Sequence, residues 1–115
     1  LDKNSEFHPL NINTYKSMSI KEIPDTESLK DTYERVINFY NSDVKNKIKS
    51  GNILISAHGN SIRALCKYLF KLDEKQISKL EIPTGNPLLI EIDENEKINN
   101  CNYLDQDRAK DLLVF

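Results

Sequence analysis

The chain has 115 residues, 38% of them hydrophobic and 30% charged, with a net charge of −2. That length holds one domain with room for a core, but not two. The mildly acidic balance gives no electrostatic footing for nucleic acid or an anionic membrane, and no apolar run approaches the roughly 20 residues of a membrane span. The N-terminal Leu1-Asp2-Lys3-Asn4 opens on no apolar signal-peptide core, so a cytoplasmic protein is expected. A start at Leu rather than Met is what a processed product or a fragment would show. Cys66 and Cys101 fit no metal-ligand spacing and are read as reduced thiols, Cys66 on the buried face of a helix.

Residues 1–25 carry little periodicity and read as an irregular surface excursion, with Phe7-His8-Pro9 and Ile23-Pro24 biased away from helix. His8, without a Gly-rich turn or acidic neighbour, is expected to be a solvated loop residue. From Thr26 the pattern changes, and residues 26–115 form the helix and strand core. Leu29, Tyr33, Val36, Ile37, Tyr40, Val44 and Ile48 recur at three- and four-residue steps, predicting one helix from about 27 to 49. Thr26 would cap its start and Gly51 its end, with Glu27 and Asp31 beside the positive pole and Lys45, Lys47 and Lys49 beside the negative one.

Residues 52–57 are expected to form a strand. Ile53 and Ile55 on one face, with Leu54 and Ala57 nearer the other, fit a sheet covered on both sides. A helix over about 60–71 carries Ile62, Leu65, Cys66, Leu69 and Phe70. A short helix opens at Asp73-Glu74-Lys75-Gln76, a capping box, and Pro83-Thr84-Gly85-Asn86-Pro87 is turn chemistry. Leu88–Ile92 reads as a strand, 93–96 as a tight turn, 97–104 as the partner strand. Asp105 would then cap a last helix ending near Val114. The order of elements predicts an α/β domain with helices on both sheet faces.

The chemistry gathers at His58-Gly59-Asn60-Ser61, where a strand would deliver a His to a helix N-terminus. Unpaired N–H groups and the helix dipole suit an anion there, and the carboxyl end of a strand is where open α/β sheets bind ligands. Gly59 permits close approach of a ligand, Asn60 or Ser61 can cap the helix, and Arg63 lies one turn in. From these residues His58 is open to three readings: a charged donor to a phosphoryl oxygen, a nucleophile or base, or a His packed at a strand end.

The run His58-Gly59-Asn60-Ser61-Ile62-Arg63-Ala64-Leu65, with Lys67-Tyr68-Leu69, resembles the second histidine motif of the cofactor-dependent phosphoglycerate mutases. Residues Thr26–Thr32 and Ile82–Leu88 resemble two further stretches of that family, in the same order, and the likeness runs from near Leu1 to about Leu104. Those enzymes belong to the histidine phosphatase superfamily. The resemblance implies a three-layer α/β fold with helices flanking a mainly parallel sheet, of which this chain holds the C-terminal half. It implies interconversion of 3-phosphoglycerate and 2-phosphoglycerate through a phosphohistidine, primed by 2,3-bisphosphoglycerate and without a metal. His58 matches the histidine that stabilises the transferring phosphoryl group, and Gly59 and Asn60 match positions that contact substrate phosphate. The family's Arg-His-Gly nucleophile motif does not occur in this sequence, so the nucleophile is expected outside the chain, and with it a missing N-terminal half or a homo-oligomeric partner. Two other classes remain in view: an inactive half-domain that binds phosphate or a protein partner, and part of a broader histidine phosphatase.

Overall fold

The computed structural model describes residues 2–109. Helix α1 spans Leu29–Phe39, a π-helical turn follows over Tyr40–Val44, and α2 continues through Lys45–Ile48. Helix α3 is Gly59–Phe70 and α4 is Glu74–Lys79; strands β1, Leu88–Ile92, and β2, Ile98–Tyr103, form one antiparallel hairpin. Helices and a small sheet share one chain, as in an incomplete α/β fold.

The long helix expected over 27–49 is present, but it is neither capped nor wound as predicted. Ser28, not Thr26, is the N-cap: its Oγ accepts from the Asp31 N–H at 3.2 Å while Asp31 Oδ2 accepts from the Ser28 N–H at 2.9 Å. This reciprocal pair satisfies two donors, whereas Thr26 has no acidic residue at the required spacing. The π-helical turn has a geometric reason. Val36, Tyr40, Val44 and Ile48 repeat every four residues, and each such step overshoots a turn of α-helix by about 40°. A wider turn, closed by the Lys45 N–H on the Tyr40 carbonyl, limits that drift and keeps the apolar stripe facing inward. Val36, Tyr40 and Val44 are buried as a result. Gly51 does not adopt the left-handed conformation of a glycine cap, because the helix has ended at Ile48 with Lys49 still right-handed.

Residues 52–57 form no strand among the described residues, which corrects the expectation for this segment. All six are exposed, Leu54 at 92%. A strand is stabilised by its neighbours, and β1 and β2 pair only with each other. The parallel sheet expected from the resemblance is therefore absent among the described residues. The apolar side chains instead border an open cleft of about 540 Å³ with Val36, Phe39, Val44 and Leu65.

The C-terminal part closes well. Cys66 of α3, Leu72, Ile77 and Leu80 form a buried cluster, with Ile62, Phe70, Ile82 and Leu88 packed against it. Asp73 and Gln76 form the predicted capping box of α4, each side chain accepting from the other's backbone N–H at 2.8 and 3.0 Å. Lys71 ends α3 in the left-handed conformation, φ 53°, and the Leu72 N–H reaches back to the Lys67 carbonyl at 3.1 Å. Lys67 donates its ammonium to the Leu72 carbonyl at 2.9 Å and so completes this cap. Asn86 is buried and ties two chain segments together: its Nδ2 donates to the Asp105 carbonyl at 2.8 Å, and its Oδ1 accepts the Asp105 N–H at 3.0 Å. The Tyr103 hydroxyl, at the end of β2, donates to the Glu81 carbonyl at 3.0 Å. Asp105 caps the following turn through the Arg108 N–H; that turn is a 3₁₀ segment, Asp107–Ala109, and the rest of the predicted last helix lies outside the described residues.

Residues 2–25 are not a featureless excursion. Three 3₁₀ turns, Pro9–Asn11, Asn13–Tyr15 and Ile20–Glu22, punctuate them. His8 is fully buried rather than solvated, its Nδ1 accepting the Leu10 N–H at 3.2 Å. Its Nε2 faces Asp25 Oδ1 at 3.5 Å. Asp25, paired chiefly with Lys3 and then with His8, is held below the usual carboxylate range.

Candidate functional site

His58 is the N-cap of α3, with extended backbone at φ −63° and ψ 146°. Its carbonyl accepts the N–H groups of Ser61 at 2.9 Å and Ile62 at 3.2 Å, which starts the helix. Its imidazole makes no capping bond and stands in solvent. Neither Asn60 nor Ser61 caps α3, since both lie inside its first turn. The backbone N–H groups of Gly59 and Asn60 meet no acceptor among the described residues, as expected of a helix start with no side-chain cap.

Gly59 is not in a left-handed conformation, and a Cβ built on it would meet nothing within 4 Å. The glycine is therefore not demanded by the packing of this chain. It leaves the space above the helix start clear, so that a ligand can approach two free N–H donors and the dipole's positive end. Asn60 is exposed. His58, Gly59 and Asn60 thus lie together on one surface, as the sequence led one to expect.

Arg63 does not join them as a direct anion ligand. Its Nη2 donates to the Ile77 carbonyl of α4 at 2.6 Å, its Nη1 faces Asn60 Oδ1 at 3.5 Å, and its Nε is buried with no partner. Glu27, read as a helix-end charge, makes a two-pronged pair with Arg35, Oε1 to Nε at 2.7 Å and Oε2 to Nη2 at 3.0 Å. That pairing lowers the Glu27 pKa and raises that of Arg35. Tyr40 and Tyr68 pack edge to face, 5.7 Å between ring centroids, and the Tyr68 hydroxyl donates to Asn41. His8 is held by Leu10 and faces Asp25, buried away from solvent. Its burial escaped the sequence reading because Asp25 lies far along the chain, with no local spacing to announce it. Cys66 and Cys101 are both free, and burial pushes their thiols up to about 12 and about 11.

Residues 3–102 match the family model of the histidine phosphatase superfamily, branch 1. The chain belongs to that superfamily. Among its relatives is a 2,3-bisphosphoglycerate-dependent phosphoglycerate mutase of Pelagibacter ubique, 66% identical over 116 residues, a match covering all of this chain and 49% of that protein. Proteins of the same name from Maricaulis maris and Caulobacter sp. are 44% and 47% identical, over 92% and 80% of this chain and 44% and 39% of their own. The chain spans about half the length of the curated relatives it matches, or less. For a histidine phosphatase segment, an exposed His next to a helix start whose N–H groups lack acceptors is a chemically apt feature, since both can donate to an anion.

Proposed function

We propose that this chain supplies one wall of the active site of a 2,3-bisphosphoglycerate-dependent phosphoglycerate mutase, an isomerase that interconverts 3-phosphoglycerate and 2-phosphoglycerate in the cytoplasm, within glycolysis and gluconeogenesis. The observation that carries the reading is the 66% identity to a protein of that name over the whole chain. The geometry at α3 supports it. In this reading His58 donates to the phosphoryl group in transit and stabilises the charge that develops on its oxygens. Gly59 and Asn60 contribute backbone and side-chain donors to substrate phosphate. The priming 2,3-bisphosphoglycerate presents the same phosphoryl chemistry, and the absence of any atom within 4 Å of a Cβ built on Gly59 is compatible with its approach. The nucleophilic histidine comes from outside these residues, because His8 is sequestered and no Arg-His-Gly occurs. The remainder of the site is proposed to come from an N-terminal half, and the complete enzyme is proposed to be a homo-oligomer.

The test is a full-length enzyme in which residues 1–115 replace the matching segment of the Pelagibacter ubique relative. Mutase turnover is expected, and His58→Ala is expected to lower kcat by about 10²–10³. Turnover undiminished in that variant would remove the role given to His58.

A second reading draws on the exposed apolar surface at Phe39, Ile53, Leu54 and Ile55. On its own the 115-residue chain would then act as a binding module that covers this surface with another polypeptide. Sedimentation of the isolated chain separates the two: a stable monomer at high concentration argues against the module.

A further inference from the structure

We infer that Arg63 is a positioning residue, which acts on substrate through Asn60 by fixing the orientation of its amide. The inference rests on the mutase reading above and deepens it. A guanidinium has donors only, so the side of the Asn60 amide that faces Arg63 must be the carbonyl oxygen. That is the arrangement present, Oδ1 toward Nη1 at 3.5 Å. The consequence lies on the other side of the amide. Its Nδ2, with two donors and no acceptor among the described residues, is left on the side away from Arg63, on an exposed residue of the first turn of α3. Without a ligand, an unfixed Asn would show its oxygen to the site about as readily as its nitrogen. Arg63 removes that choice before the ligand arrives.

Arg63 can do this because its other end is held. Nη2 donates to the Ile77 carbonyl at 2.6 Å. Ile77 lies in the last turn of α4, where carbonyls are free of helical partners and the helix pole is negative, both suited to a guanidinium. α4 is itself fixed by the Asp73 and Gln76 capping box and by the burial of Ile77 and Leu80 in the core. A continuous line of contacts thus runs from the core, through α4 and Arg63, to the Asn60 amide.

Lys cannot replace Arg here, since one ammonium on a flexible stem cannot serve the Ile77 carbonyl and the Asn60 oxygen with fixed geometry. In the full-length enzyme described above, Arg63→Lys is expected to raise KM for 3-phosphoglycerate about tenfold with kcat within about twofold, the signature of lost ground-state binding. Asn60→Ala should raise KM similarly, and the double variant should cost no more than Asn60→Ala alone, because Arg63 acts only through that side chain. Additive losses, or an unchanged KM in Arg63→Lys, would overturn the inference. Asn60→Asp tests the same orientation with Arg63 intact. Its carboxylate still accepts from the guanidinium but offers no outward donor, so KM should again rise at least about tenfold. An unchanged KM there also overturns it. Absence of mutase turnover in the full-length enzyme marks failure of the mutase reading instead, so the two failures are distinguishable.

Discussion

Two apolar segments of this chain, Ile53–Ile55 and Leu88–Ile92, have similar compositions and opposite fates. The second is a strand, Leu88 opposite Tyr103 and Ile90 opposite Cys101, with Leu88 packed against the cluster that Cys66 of α3 and Ile77 of α4 share. The first has no ladder and lies open beside Phe39 and Leu65, with Leu54 92% exposed. Sequence distance to a partner accounts for the difference. β1 meets β2 across a tight turn in which Asp93 Oδ1 accepts the N–H groups of Asn95 and Lys97, and Glu96 takes the left-handed position. Residues 52–57 have no such neighbour among the described residues. A strand buried on both faces depends on non-local partners, and its pattern records a requirement that the chain carrying it need not satisfy.

The sharpest way to break the comparison is a matched pair of truncations. Leu80→Ala removes a side chain that is 1% exposed in the core cluster and is expected to lower unfolding stability by about 2–5 kcal/mol. Leu54→Ala should change the stability of the 115-residue chain by no more than about 0.5 kcal/mol. In the full-length enzyme the same Leu54→Ala is expected to cost about 2–5 kcal/mol, because a completed sheet would cover it. Urea denaturation of both variants in both contexts measures all four values. An inexpensive Leu54→Ala in the full-length enzyme would show that the segment stays at the surface.

The closed region also rests on buried polar ties that the open one lacks. Asn86 is 6% exposed and satisfies both the carbonyl and the N–H of Asp105. Asn86→Ala leaves these two groups without their partner and is expected to destabilise by about 1–3 kcal/mol in the same urea experiment.

How legible each part was in the sequence follows the same division. Local signals were reliable: Asp73 and Gln76 form their capping box, α3 carries Cys66 inward, and Leu88–Tyr103 makes its hairpin. The placement of His58, Gly59 and Asn60 at the start of α3 was equally local, a matter of three consecutive residues. What could not be read was whatever depended on distant residues or on competition between similar ones. Ser28 displaced Thr26 as the cap because only Ser28 has Asp31 three residues on. His8 became buried through Asp25 and Leu10, and Arg63 left the anion for the Ile77 carbonyl, contacts that no spacing rule announces.

Thiol chemistry reports on the same boundary between closed and open structure with a smaller effect. Burial pushes Cys66 up to about 12 and Cys101 to about 11, so the reactive thiolate of Cys66 is about tenfold scarcer at any pH near neutrality. A disulfide reagent at pH 8 is expected to modify Cys101 first, with Cys66 following at least about tenfold more slowly and catching up in urea. Equal rates in the native protein would mean that the core around Cys66 opens freely.

A small gain is expected within the closed region, where α3 passes into α4. Lys71 holds φ 53°, a conformation in which a side chain's Cβ crowds the backbone and glycine's does not. Its side chain is exposed, and the cap is made by its backbone and by Lys67, so its loss removes no bond that closes the turn. Lys71→Gly relieves the strain but also gives the unfolded chain more freedom, and the two partly offset. The net expectation is a gain of about 0.5–1 kcal/mol in unfolding stability, read as a higher urea midpoint with an unchanged slope. A lower midpoint would mean that Lys71 contributes through its ammonium, by its charge at the negative pole of α3, more than its backbone costs.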